Sequence, residues 1–116
     1  MRDKRKDSIE RLLHMRNAIE RIETFTGDID MKSFVKDDLV TSAVLFQFSV
    51  IGEAVVHIDE MFLEKYDYPW YKVRAFRNLI SHEYFNVKLE AVWSIIEKDL
   101  PELKVVVNKM TEDLKS

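Results

Sequence analysis

The sequence VLFQFSVIGEAVV, residues 44–56, is the most apolar part of this chain of 116 residues. Its apolar side chains recur at three- and four-residue spacings, and Gln47, Ser49 and Glu53 are its only strongly polar ones. This spacing is typical of an α-helix with a wide apolar surface. We therefore predict a long helix from about Asp37 or Asp38, either of which could cap it, to about Lys65, at the centre of the fold.

Further helices are predicted on both sides of this central one. The apolar spacing indicates an amphipathic helix from residue 7 that ends at Thr26-Gly27-Asp28, and one or two helical turns at residues 31–36. A third helix is predicted from Trp70 to Ser81 or beyond, and a fourth over residues 89–100. Pro101 can open a fifth helix that continues to about residue 110. The sequence thus predicts an all-α, five-helix bundle in one domain, residues 1–116.

The composition excludes several classes of protein. Two Gly and two Pro are too few for the many tight turns of an all-β fold. The absence of cysteine excludes a disulfide scaffold and any cysteine-ligated metal site, and is compatible with a reducing cytosol. No apolar signal segment follows the charged N-terminus, so we expect a cytoplasmic protein that does not enter the membrane.

The charge distribution points to one segment. A formal net charge of −3 argues against an indiscriminate nucleic-acid coat, because non-specific affinity comes from many Lys and Arg contacts to phosphates. An RNA enzyme needs only a local cationic site, and Lys72, Arg74, Arg77 and Lys88 cluster around one part of the chain.

That part contains RAFRNLISHEY, residues 74–84. Metal-free RNA cleavage needs a group that titrates near neutrality and a fixed cation that stabilises the charge on the phosphate; His82 and Arg77 are of these types. A hydroxyl such as that of Tyr84 or Ser81 can position the phosphate. The competing interpretation is a surface helix in which these side chains are simply solvated.

The geometry of one ideal helix does not bring these groups together. Arg77 and Tyr84 lie on the same flank, whereas His82 points roughly 140° away from Arg77. Convergence requires a long reach of the Arg side chain, a helix that loosens near Ser81, or a second copy of the segment across a two-fold axis.

The spacing Arg77-x4-His82-x-Tyr84 resembles the signature of the HEPN superfamily, and specifically of the HepT-like toxins, formerly the DUF86 group. The context agrees, since residues 51–54 (IGEA) resemble the family's Gly-Glu-Ala element and residues 69–70 (PW) its entry to the motif helix. Residues 77–85, 92–93 and 99–101 resemble the central run and its continuation. The resemblance spans about residues 9–103, and the chain is identified as a member of this family.

The resemblance implies a homodimer in which two motif helices face each other across a cleft. It implies a metal-independent RNA endonuclease without a cofactor, in which Arg77 and His82 are catalytic and Asn78 and Ser81 are supporting groups. It further implies the toxin of a type II or type VII toxin–antitoxin pair. The antitoxin would be an MntA-like minimal nucleotidyltransferase, which in some pairs transfers AMP to the motif tyrosine, here Tyr84.

Two other sets of residues are open to interpretation. Glu53, His57 and Glu60 share a helix face in the predicted long helix, but one Glu-x3-His helix is half a metal site at best, so we predict no metal. Glu53 could instead orient Arg77, since a buried Gly-Glu pair in an apolar stretch needs a polar partner. His14 has no partner at a suggestive spacing and is predicted to be structural.

The sequence leaves alternatives to the ribonuclease function open. A non-catalytic adaptor that binds a nucleotidyltransferase and presents substrate or nucleotide would use the same residues as a ribonuclease, and a purely structural helical dimer would use none of them. The large side chains of Phe46, Trp70, Tyr71 and Trp93 suit either a core or a dimer face.

Overall fold

The computed structural model describes residues 3–81 and 88–116, except for the side chains of residues 80 and 81. Within these ranges all regular structure is helical, which confirms the all-α class. The α-helices are α1 (Lys4–Thr26), α2 (Met31–Lys36), α3 (Asp38–Val56), α4 (Glu60–Leu63), α5 (Trp70–Ala75), α6 (Asn78–Ser81), α7 (Leu89–Ser94) and α8 (Leu100–Lys115), with a π-helical segment (Ile95–Asp99) between α7 and α8.

Helix α3 is the centre of the fold, as predicted. It packs along α1 and also contacts α5 and α6, while α8 packs on α1. Phe48 and Ile51 of α3 are fully buried, as are Leu12 and Ile19 of α1. Burial of each such side chain contributes about 1.5–3 kcal/mol, so this helix pair supplies much of the drive to fold.

The composition of α3 would also suit a membrane span. It has 19 residues, a mean hydropathy of 1.8 and 50% of its length buried within the fold. Because its buried half packs against four other helices, α1, α2, α5 and α6, α3 is the core helix of a helical bundle.

Aspartate side chains begin four of the helices. The carboxylates of Asp3, Asp30, Asp37 and Asp59 each accept a hydrogen bond from a backbone N–H two or three residues later. Such caps satisfy amide donors that have no partner in the first turn. The predicted cap at Asp37 is confirmed, and Asp3 moves the start of α1 to Lys4, ahead of the predicted Asp7.

The predicted long central helix is interrupted, and its predicted end at about Lys65 is wrong. Helix α3 ends at Val56, and α4 starts afresh after Asp59. The Asp59 side chain accepts a hydrogen bond from the Met61 N–H, and its own N–H donates to Ser8 Oγ in α1 at 3.2 Å. The interruption thus arises because Asp59 caps a new helix while α1 holds its backbone.

The predicted third helix is broken as well. Phe76 and Arg77 form a turn between α5 and α6, in which the Phe76 N–H donates to the Val73 carbonyl and the Leu79 N–H donates to the Phe76 carbonyl. Val73 and Phe76 are buried, as their spacing predicts. Arg77 therefore does not lie within one continuous helix, and the angle predicted between Arg77 and His82 is not tested because His82 lies outside the described residues.

Pro101 does not separate two helices, so the predicted boundary there is wrong. Helix α7, the π-helical segment and α8 follow one another without a gap. The Leu100 N–H donates to the carbonyl of Ile95, five residues earlier. A proline lacks an N–H and crowds the carbonyl four residues before it, and the wider π turn accommodates this locally.

Candidate active site

Arg77 lies in very close contact with α3. A Cβ atom added to Gly52 would lie 2.4 Å from Arg77 N, 2.9 Å from Arg77 Cβ and 3.1 Å from Arg77 Cα. Gly52 is buried and has no positive φ angle. Glycine is therefore required here because a side chain would not fit, and not because of the backbone conformation. The absence of a side chain at Gly52 thus admits the turn that carries Arg77.

The residue after Gly52, Glu53, forms an ion pair with the Arg77 side chain. Arg77 Nη1 lies 3.6 Å from Glu53 Oε2, and the two side chains are 49% and 58% exposed. An ion pair this open to water contributes only about 0–1 kcal/mol to stability. Its effect is to orient the guanidinium while leaving it accessible to a ligand.

Glu53 also contacts His57, one helical turn later in sequence. His57 Nε2 lies 3.1 Å from Glu53 Oε1, whereas Arg77 approaches the other carboxylate oxygen. Glu53 therefore bridges a guanidinium and an imidazole, and we refer to these residues as the Arg77–Glu53–His57 triad. A contact between Glu53 and Arg77 was one interpretation of the sequence, and the structure has it. The four-residue spacing of Glu53 and His57 was considered only as half a metal site, so the shared contact of Arg77 and His57 with Glu53 was missed.

Glu60 is not part of that cluster. Both of its carboxylate oxygens contact Arg74 Nη2, at 2.8 and 3.2 Å, which ties α4 to α5. Because α3 ends before His57, the predicted shared helix face of Glu53, His57 and Glu60 is wrong.

The remaining predicted site residues are placed as follows. Asn78 is the first residue of α6 and is exposed, and Ser81 is its last residue. His82 and Tyr84 lie outside the described residues, so their roles stay predictions. The prediction of a buried Gly-Glu pair is right for Gly52 and wrong for Glu53, which is exposed because it points away from the core.

An exposed apolar strip leads along α3 to the triad. Leu39 is 81% exposed, Phe46 is 57% exposed and Val50 is half-buried. Their spacings of seven and four residues place them on one helix face, which Glu53 continues. We call Leu39, Ala43, Phe46 and Val50 the α3 stripe. Of the other large aromatic side chains, Trp70 and Trp93 belong to the core and Tyr71 is 69% exposed.

Residues 15–110 match the family described as Ribonuclease HepT-like. The chain is 34% identical, over 95% of its length, to a Methanocaldococcus jannaschii protein named as a gamma-glutamylcyclotransferase and proposed RNase, and it spans 50% of that protein. It is 35% identical to a proposed RNase of Caldanaerobacter subterraneus, over 81% of each chain. It is 33% identical to the probable ribonuclease HepT of Thermococcus cleftensis, over 80% of this chain and 86% of that one. No solved structure matches the chain.

Proposed function

This chain belongs to the HepT-like ribonuclease family, and we propose that it is a metal-independent RNA endonuclease with Arg77 and His82 as its catalytic groups. The observation that carries the proposal is the placement of Arg77, whose backbone packs on Gly52 and whose half-exposed guanidinium is oriented by Glu53. A surface arginine with no special role would need neither contact.

The reaction that suits these groups is transfer within the RNA chain. The 2′-oxygen attacks the adjacent phosphorus, the bond from phosphorus to the 5′-oxygen breaks, and a 2′,3′-cyclic phosphate and a 5′-hydroxyl result. One proton leaves the 2′-hydroxyl and one is delivered to the 5′-oxygen, and we propose His82 for a proton transfer. The Arg77 guanidinium would stabilise the negative charge that develops on the phosphate oxygens, and Tyr84 would position the phosphate.

A second copy of the chain would complete the cleft. The α3 stripe exposes large apolar side chains and ends at Glu53, so pairing of two stripes would bury them and bring two triads to one interface. We expect Phe46→Glu to shift sedimentation at micromolar concentration from twice the chain mass to a monomer. The matched control is Val105→Glu, because Val105 is 68% exposed on α8, outside the stripe. A wild-type monomer with full RNase activity would contradict the composite cleft.

The proposed partner is a minimal nucleotidyltransferase of the MntA type, acting as antitoxin in the cytoplasm. The Tyr84 phenol oxygen would bond to the α-phosphorus of ATP, pyrophosphate would leave, and the phenol proton would pass to a base. Intact-mass spectrometry with ATP and the product of a neighbouring nucleotidyltransferase gene should show one added AMP on the wild type and none on Tyr84→Phe. Addition of AMP to the Phe variant would show that Tyr84 is not the sole acceptor.

Single-turnover cleavage of labelled RNA in EDTA tests the chemistry. His82→Ala should lower the rate roughly 10²–10⁴-fold, with RNA affinity largely kept, because it removes a proton-transfer group. Unchanged rates for His82→Ala, or activity restored only by Mg²⁺, would rule out this mechanism. The adaptor function would then be favoured.

A further inference from the structure

A cavity between α1 and α3 adjoins the triad at Glu53. It has a volume of about 270 Å³ and is lined by Arg11 and His14 of α1 and by Ser49, Val50, Glu53 and Ala54 of α3. We call it the α1 groove. It is large enough for a phosphate group with its hydrating water.

Arg11 is the unusual residue of this groove. It is half-buried, yet within residues 3–81 and 88–116 neither Arg11 nor His14 makes a hydrogen bond or an ion pair. Two other partly buried cations have partners, since Arg74 binds Glu60 and Lys104 binds Glu23, whereas the buried Nε of Arg16 on α1 has no hydrogen-bond partner within the described residues. A partly desolvated guanidinium without an anion is costly, so the groove is suited to an anion from outside the chain.

The acidic residue of the groove does not neutralise Arg11. Both carboxylate oxygens of Glu53 are already engaged, one by Arg77 and the other by His57. Arg11 also borders a second cavity, of about 580 Å³, together with Lys4 and His57. There Lys4 is paired with Asp59 at 3.6 Å, and the Asp7 carboxylate borders the same cavity, whereas Arg11 makes no ion pair within the described residues.

We propose that the α1 groove binds an RNA phosphate that flanks the scissile one, so that the substrate runs from Arg77 past Glu53 to Arg11. Arg11 would donate charge-assisted hydrogen bonds to the phosphate oxygens and His14 would add an imidazole N–H. The proposal rests on the proposed ribonuclease function. It extends that function to how a longer RNA is held and oriented.

Charge-removing variants at two positions of α1 test the groove. Arg11→Gln removes the charge and keeps much of the side-chain stem. The control is Arg21→Gln, because Arg21 lies on the same helix about 15 Å further along its axis and is exposed beside a different cavity. The probes are a fluorescein-labelled single-stranded RNA for anisotropy titrations at several salt concentrations, with 2′-O-methyl groups so that it is not cleaved, and an unmodified dinucleotide for cleavage.

Arg11→Gln should weaken RNA binding several-fold at low salt and reduce the slope of log K against log salt by about 0.7, the value for one phosphate contact on a single strand. Arg21→Gln should match the wild type, and both variants should cleave the dinucleotide at the wild-type rate, since it has no flanking phosphate. Arg11→Lys should retain the slope, which separates loss of charge from loss of fold.

Two results would contradict phosphate binding in the α1 groove. One is wild-type RNA affinity and salt slope for Arg11→Gln, and the other is an equal loss of RNA affinity for Arg21→Gln. The outcome for the ribonuclease is separate. If the wild type binds RNA without cleaving it, and only Arg11→Gln weakens that binding, phosphate binding in the α1 groove is supported while the proposed ribonuclease function is contradicted.

Discussion

Two parts of this molecule depart from regular α-helix for different reasons. At Phe76–Arg77 the helix breaks where its backbone meets Gly52 of α3, a residue 25 positions earlier. At Ile95–Asp99 the helix widens into a π turn just before Pro101. The first irregularity comes from packing between helices, and the second comes from a residue next to it in sequence.

The two irregularities also differ in their relation to the candidate active site. The Phe76–Arg77 turn places a cation beside Glu53, in the triad, whereas the π turn joins α7 to α8 and carries no candidate site residue. Substitutions at the first should therefore affect both activity and stability. Substitutions at the second should affect neither strongly.

Gly52→Ala should have the largest effect. Its Cβ would lie 2.4 Å from Arg77 N, a backbone atom that cannot move without displacing the turn. Overpacking of this kind costs about 1–3 kcal/mol, and we expect RNA cleavage to fall with it. Urea unfolding and single-turnover cleavage measure the two effects.

The other glycine of the chain is the control. A Cβ on Gly27 would lie 3.0 Å from the Glu23 carbonyl oxygen, at the end of α1 and away from the triad. Gly27→Ala should cost less stability and leave cleavage intact. Equal losses for the two variants would contradict a special role for Gly52.

Glu53→Gln should separate activity from stability. The free energy of unfolding should change by less than about 1 kcal/mol, because the ion pair is open to water. Cleavage should fall roughly tenfold, because an amide holds the Arg77 guanidinium less firmly than a carboxylate does. Glu60→Gln, which disrupts the comparable pair with Arg74, should leave cleavage unchanged. If Glu60→Gln slows cleavage as much, Glu53 has no specific role.

Pro101→Ala tests the other irregularity. We expect the free energy of unfolding to change by less than about 1 kcal/mol, since the π turn already accommodates the proline and no clash is created. RNA cleavage should stay at the wild-type rate. A loss of activity comparable to that of Gly52→Ala would show that the two irregularities are coupled.

Alkaline pH should weaken the contacts of the segment between α4 and α5 with the π turn and α8. Tyr66 donates a hydrogen bond to Asp113 of α8, and Tyr68 donates one to the carbonyl of Asp99 in the π turn, at 3.5 Å. Burial raises the pKa of both phenols to about 12, with Asp113 adding to the effect at Tyr66 and Glu102 and Asp99 at Tyr68. Each phenol therefore contributes stability that is complete below the unfolded pKa of about 10 and is lost as pH rises through the folded value.

Urea unfolding across pH 9 to 12 (roughly the span between the two pKa values) measures this loss. Tyr66→Phe should lose less stability over that span than the wild type. Tyr71→Phe should follow the wild type, because Tyr71 is exposed on α5. If the free energy of unfolding of Tyr66→Phe falls with pH as steeply as that of the wild type, the Tyr66 phenol does not contribute to the loss.

The sequence predicted what depends on local pattern. The apolar spacing of residues 44–56 indicated the central helix, and the cap at Asp37 and the end of α1 at Thr26-Gly27-Asp28 were correct. The all-α class followed from composition and periodicity. These features depend on residues close together in sequence.

The sequence could not predict contacts between distant segments. The break before Asp59 depends on Ser8, and the turn at Arg77 depends on Gly52. His14 had no partner by spacing and was predicted to be structural, yet it is exposed and lines a cavity with Glu53. Periodicity gives the face of each helix but not what packs against it.

The central claim is that Arg77, as placed by Gly52 and Glu53, acts on the RNA phosphate. Single-turnover cleavage of a labelled RNA in EDTA by Arg77→Ala and Arg74→Ala tests it most directly, because Arg74 is also partly exposed and paired with a glutamate, only one turn away. Arg77→Ala should lose about 10²-fold or more in rate, as expected when a preorganised donor to the transition state is removed. Arg77→Lys should recover only part of that loss, because an ammonium lacks the planar two-pronged donor geometry. Arg74→Ala should cleave at nearly the wild-type rate, and equal rates for the two alanine variants would contradict the account.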